Sequence, residues 1–318
     1  MASEVIGHHT HRYEVIKNWG EQEPAKYPVN DCHEMVVDRR GRIYMLTNET
    51  RNNILIYNVN GRLLGHWGNS YPGAHGLSIT DEGDEQFLFI TDTDRHQVIK
   101  TTLDGREVMV IDYPKEIPAY QSAEQFKPTE TAPNGDIYIT DGYGLQYVIQ
   151  YNNKGQYIRH WGGRGDAPEQ FNCVHGIAVD NRNPSQLTLI ITSRNHNAFK
   201  RFTLDGQYLE TIYLPGSFVC RPVIQGDFLY AAVFRSGTNT NFGSGYITIL
   251  DKDFKVISTP GGTEPQYIDG LLQEQKQDKP VFIHPHDVCP YGDDLIVCQW
   301  NAEKTYPVKL KRVYQEAV

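Results

Sequence analysis

The chain has 318 residues, 39% of them apolar and 22% charged, with a formal net charge of −9. This composition is that of a folded globular protein and excludes a disordered chain. The acidic balance argues against a nucleic-acid partner, which needs a basic face, and no run of about 18 apolar residues is present to cross a membrane as a helix.

Residues Met1–Gly20 are polar and lack the apolar core of a signal peptide, so the expected compartment is the cytoplasm, or the outside of the cell with a leader already removed. Five cysteines (Cys32, Cys173, Cys220, Cys289, Cys298) form no CxxC pair and read as buried, reduced thiols.

A pattern of short strands then recurs along the chain. Each copy opens on a short apolar strand, passes a Gly or Asp-Gly turn into a β-rich run, and ends on a strand that sometimes closes with Trp-Gly. The copies run His33–Gly68, His75–Ile111, Thr129–Gly162, His175–Ile212, Arg221–Thr259 and His286–Val313, the fifth being the loosest. Their openings are spaced by 42, 54, 46, 46 and 65 residues. Four strands in roughly 40–50 residues is the period of a propeller blade. The extra length falls in two polar insertions, Tyr113–Phe126 and Gly261–Ile283, which read as loops over one face. The expected fold is therefore all-β, a six-bladed β-propeller forming one domain over residues 1–318.

The sixth copy lacks a fourth strand. The segment HRYEVIKNWG (His11–Gly20) matches the fourth-strand segments GRLLGHWG and GQYIRHWG. It is expected to complete the last blade and close the ring, removing an exposed sheet edge. Trp19, Trp67 and Trp161 then stand at equivalent places, packing between blades.

The innermost strand of each blade lines the channel, so the six openings form one ring: His33, His75, Thr129, His175, Arg221 and His286. The histidines of the second, fourth and sixth blades stand about 120° apart by this symmetry. Three converging imidazoles form an open-sided ligand set for a divalent transition metal such as zinc. His33 breaks the threefold pattern and reads as a further ligand, a proton shuttle or a hydrogen-bond partner. His284 reads as a rim residue. No GxSxG, P-loop or dinucleotide motif occurs.

Several segments also resemble one enzyme family. HGLSIT followed by TDTDRHQVIK, FKPTETAPNGDIYITDGYG, VHGIAV with SRN, and PHDV resemble blades of the peptidyl-α-hydroxyglycine α-amidating lyase core, an NHL-repeat propeller. The resemblance implies a zinc site at His75, His175 and His286, a catalytic tyrosine at Tyr143 and an active-site arginine at Arg194. It also implies a structural calcium held by the Asp287 carboxylate and the carbonyls of Leu77 and Met35. The family's substrate-binding arginine aligns with Asn48, with Arg51 three positions on. Gly144 stands where the family has a cysteine, so that disulfide is absent. The implied chemistry is metal-assisted lyase cleavage of an α-hydroxylated amide, the substrate being a small molecule or a peptide. A tyrosine has a reference pKa of about 10, so a base role needs nearby positive charge, which the metal and Arg194 would provide.

The residues leave two other readings open. One is a metal-dependent hydrolase or eliminase acting on a lactone or sugar. The other is a non-catalytic propeller that binds a protein or glycan. Blade similarity by itself speaks to fold and not to function.

Overall fold

The middle strands of the blades are apolar on both faces rather than alternating. Ile43–Thr47, Thr188–Ser193 and Tyr246–Leu250 are buried at every residue. A strand reads this way when both faces of its sheet are covered. The outer strand Leu63–Trp67 is instead only partly covered and alternates. Sheets covered on both faces must stack on neighbours, and a closed ring satisfies that for every sheet.

The computed structural model, which describes residues 4–237 and 242–314, has this architecture. It is a six-bladed β-propeller. The first four blades are four-stranded antiparallel sheets, with innermost strands Cys32–Val37, Ala74–Glu82, Glu130–Asn134 and Val174–Asp180. The sixth is built on Pro285–Tyr291. Among the described residues, six apolar clusters form the core, each joining two consecutive blades. One holds Trp19, Met35, Tyr57 and Ile296 and so joins the last blade to the first.

The N-terminus closes the ring. His11–Ile16 pairs antiparallel with Val308–Val313, from Arg12↔Val313 to Ile16↔Lys309. Val5–His8 adds a further strand outside it. The tryptophans take equivalent places. The Trp19 indole donates to the Val59 carbonyl at 3.4 Å, and the Trp67 indole donates to that of Leu103 at 3.0 Å, in each case across to the next blade. Trp161 packs on Phe202 of the next blade.

The fifth blade is loose for a local reason. Its inner edge is split into Ser217–Val219 and Val223–Gln225, both paired with Phe228–Ser236. The break falls at Cys220–Pro222, where Pro222 has no N–H to give a ladder. Cys220 still donates its N–H to the Ala232 carbonyl at 2.8 Å, and Arg221 reaches toward the axis from the break.

The insertions are more than open loops. The first buries Ile117, Tyr120 and Phe126, and the second carries a small hairpin, Tyr267–Ile268 with Leu271–Leu272. The cysteines are all free, four buried and Cys173 half-buried. No helix among the described residues is long and apolar enough to cross a membrane.

Candidate functional site

In four blades the register of the inner strand slips where its opening histidine stands. The shifts fall between Cys32 and Glu34, Ala74 and Leu77, Val174 and Ile177, and Pro285 and Asp287. A bulge takes its residue out of the ladder and re-aims the side chain. Here it turns His33, His75, His175 and His286 toward the channel, where all four are buried.

The rings of His75, His175 and His286 form a nearly equilateral triangle, with centroids 4.9, 4.8 and 5.0 Å apart. His33 lies against the His75–His286 edge, 5.0 and 4.8 Å from those rings. The backbone orients two of the four rings. His75 Nδ1 meets the Thr129 carbonyl at 2.8 Å, and His286 Nδ1 meets that of His33 at 3.2 Å. A carbonyl accepts only from N–H, so each contact puts the proton on Nδ1 and leaves the Nε2 lone pair facing the centre. His286 Nε2 is buried there with no hydrogen-bond partner. Burial lowers the pKa of all four rings, that of His33 to about 3. They are thus kept neutral, the form that binds a metal.

These residues fit a transition metal. Among the described residues, ligand atoms within 4.8 Å of one another fall into two sets that share His286, His33 with His75 and His286, and His175 with Cys220 and His286, so the expected triplet His75, His175 and His286 is split between them. Cys220 was not singled out in the sequence. Its neighbour Arg221 was, but nothing local shows that the strand break turns the thiol inward.

Tyr143 arrives from the third blade on a turn organised by Asp141. That carboxylate accepts the N–H groups of Lys127 (2.7 Å) and Leu145 (2.6 Å). It also accepts the Tyr120 hydroxyl, contributed by the first insertion. A side chain at Gly144 would run into the Asp141 carboxylate, so this turn has no room for a cysteine there. The Tyr143 hydroxyl lies 3.0 Å from His75 Nε2 and 3.0 Å from His175 Nε2. The residue keeps 43% of its surface exposed at the mouth, while its oxygen is wedged between two imidazoles. Burial raises the phenol's pKa, and Arg194 acts in the opposite direction. In the chain alone, burial prevails.

Arg194 is buried, its Nη2 3.0 Å from Cys220 Sγ and its guanidinium 5.0 Å from the Phe234 ring centroid. A cavity of about 320 Å³ opens above the histidines, with Asn48, Phe234 and Trp300 on its walls. Asn48 is held in place by Asn30 and Asp31. Arg51 does not reach this cavity. Its side chain is exposed and paired with Glu49 at 2.9 Å, because its turn leads away from the axis. His284 is buried, stacked on Phe234 with ring centroids 5.0 Å apart.

A second tier lies below the histidines. Arg221 reaches the axis, but at this level. Its guanidinium donates to Asp287 Oδ1 (2.7 Å), Asp287 Oδ2 (3.0 Å), the Leu77 carbonyl (2.8 Å) and the Met35 carbonyl (2.7 Å). Glu34 and Glu130 flank it at 3.4 and 3.7 Å. Burial raises the pKa of both carboxyl groups, and the Arg221 guanidinium acts in the opposite direction. The oxygens expected to hold calcium are therefore already taken by an internal cation, and the arrangement does not fit the ion. Glu34 and Glu130 carried no signal in the sequence beyond their place one residue after a ring position.

A family model described as "DUF5128: 6-bladed beta-propeller" matches residues 131–272. The chain is 27% identical over 139 residues to mouse peptidyl-glycine alpha-amidating monooxygenase, a match spanning 41% of this chain and 14% of that protein. It is 32% identical over 111 residues to peptidyl-alpha-hydroxyglycine alpha-amidating lyase 1 of Drosophila melanogaster, spanning 32% of this chain and 19% of that one. Among solved structures, a streptogramin B lyase superposes with a TM-score of 0.60 at 14% identity, covering 94% of this chain and 97% of the other. Virginiamycin B lyase from Staphylococcus aureus does so with a TM-score of 0.56 at 15% identity, covering 95% and 100%. At these identities the structural matches speak to the fold.

Proposed function

We propose that this chain is a metal-dependent lyase that cleaves an α-hydroxylated amide in the upper part of its channel. The carrying observation is the Tyr143 hydroxyl, 3.0 Å from each of two inward-facing histidine nitrogens. The partial matches to amidating enzymes support the reaction type.

His75, His175 and His286 would hold the metal, zinc being the ion that suits such ligands. When bound, the ion supplies Lewis-acid charge that favours ionisation of a substrate hydroxyl. The protein groups do the rest. Tyr143 Oη takes the hydroxyl proton, and Arg194, buried beside it, favours the phenolate that must exist beforehand. The C–O bond becomes a carbonyl as the C–N bond breaks. The departing amide nitrogen takes a proton back from Tyr143, so the products are a primary amide and a carbonyl compound and the tyrosine is restored.

The substrate recognised differs from a free hydroxyglycine terminus. Among the described residues lining the cavity, Arg194 carries the single guanidinium, and Asn48 is tied to its own neighbours. Phe234 and Trp300 offer an aromatic wall instead. An apolar or aromatic group beside the hydroxylated carbon fits that wall better than a carboxylate.

The test is Tyr143→Phe, assayed on α-hydroxylated amides with and without a carboxylate. Turnover should fall by about 10²-fold or more with metal content unchanged. Near wild-type turnover with metal bound excludes Tyr143 as the base.

A further inference from the structure

We infer that Arg221 is the structural cation of this propeller, occupying with its own guanidinium the place where a divalent ion would otherwise tie the blades together.

The inference stands apart from the chemistry of the histidine tier. Glu34, Glu130 and Asp287 are each at most 1% exposed. Buried carboxylates persist only when paired and hydrogen-bonded, and all three converge on one guanidinium. Four of the five N–H donors are used in hydrogen bonds: Nε and Nη2 grip Asp287 bidentately, while Nη1 and Nη2 take the carbonyls of Leu77 and Met35. Bidentate recognition of this kind belongs to arginine and not to lysine.

The contacts link the whole ring. Glu34 and Met35 come from the first blade, Leu77 from the second, Glu130 from the third and Asp287 from the sixth, and Arg221 is from the fifth. The fourth blade approaches through Gly176, where any side chain would strike the Arg221 backbone. A calcium ion needs six to eight oxygens at about 2.3–2.6 Å. The guanidinium holds the same oxygens and fills the space between them, so both cannot be present. The tier also abuts the upper site in sequence: Glu34 follows His33, Asp287 follows His286, and Arg221 follows Cys220.

The tier borders a second cavity of about 470 Å³, lined by Met35 and Arg221 among others. The experiment uses the full chain, dialysed against EGTA. Wild-type protein should hold no stoichiometric calcium, and its Tm should not move in millimolar calcium chloride. Arg221→Ala should lower Tm by about 5 °C or more, and calcium chloride should restore part of that loss. If Arg221→Ala does not fold, Arg221→Lys replaces it. Lysine keeps the charge but loses the fork, so its Tm should lie clearly below wild type. Stoichiometric calcium in the wild type, a calcium-dependent rise in its Tm, wild-type stability in Arg221→Ala or Arg221→Lys, or no calcium response in a folded Arg221→Ala would each overturn the inference.

Discussion

Removing residues 1–16 should bring the fold to the edge of unfolding. The deletion takes away both N-terminal strands, Val5–His8 and His11–Ile16, and with them the five pairings to Val308–Val313. Two fully buried apolar side chains go too, Ile6 at 2% and Tyr13 at 0% exposure. Losing a buried aromatic side chain costs about 3–5 kcal/mol and a buried Ile about 2–5 kcal/mol. The sum, about 5–10 kcal/mol, is comparable with the whole stability of a typical domain, about 5–15 kcal/mol. The cut also leaves Val308–Val313 as a bare edge, an invitation to aggregate. Tyr13→Ala isolates the packing part. A chain of 318 residues has an unfolding entropy of about 0.7 kcal/mol per kelvin. A loss of about 3–5 kcal/mol should therefore lower Tm by about 4–7 °C. Differential scanning calorimetry on the full chain, Tyr13→Ala and the truncation should show that order. A truncated protein that stays monomeric and melts with the wild type would refute closure by the N-terminus.

Other outcomes follow from the same geometry. Purified protein should carry about one transition-metal ion per chain, and His75→Ala, His175→Ala and His286→Ala should each lose most of it by elemental analysis; unchanged content in all three would remove the histidine site. His33→Ala should weaken metal binding by about 10–100-fold in chelator competition, as expected for a group that supports the ligands at their edge; equal affinity would leave His33 a packing residue. Arg194→Ala should lower turnover while retaining metal, because the positive charge favouring the phenolate is gone; full activity would release Arg194 from the site. Acid stability should depend on His11, which is 4% exposed and whose pKa is lowered to about 4, chiefly by burial and then by Arg312. Its folded pKa lies below the unfolded one, so the unfolded chain takes up the proton first. Stability is full above about pH 6.5 and is lost as pH falls toward 4, by at most about 3 kcal/mol. His11→Gln should flatten that limb of a Tm-against-pH curve, and an unchanged limb would exclude the effect.

Blade number, the closing strand and the four channel histidines were legible in the amino-acid order. They rest on short-range regularities: apolar runs of strand length, turn residues at fixed offsets, and a histidine at the head of a repeating unit. A repeated unit that cannot bury both faces alone must stack on its copies, so the ring follows from the repeat. What lies at the axis does not follow from it. Equivalent positions put His175 and Arg221 on one ring, yet Arg221 stands a tier lower, because Pro222 interrupts its strand and three buried carboxylates draw its guanidinium down. The same break brings Cys220 against Arg194, and the turn around Asp141 decides that the Tyr143 hydroxyl meets two imidazoles. Arg51, close in sequence to a channel-lining position, points to solvent. Spacing determines which strand a residue joins. Its depth and direction in the channel depend on six strands meeting at once, where the cost of burying charge selects the partners, and that is a property of the assembled ring alone.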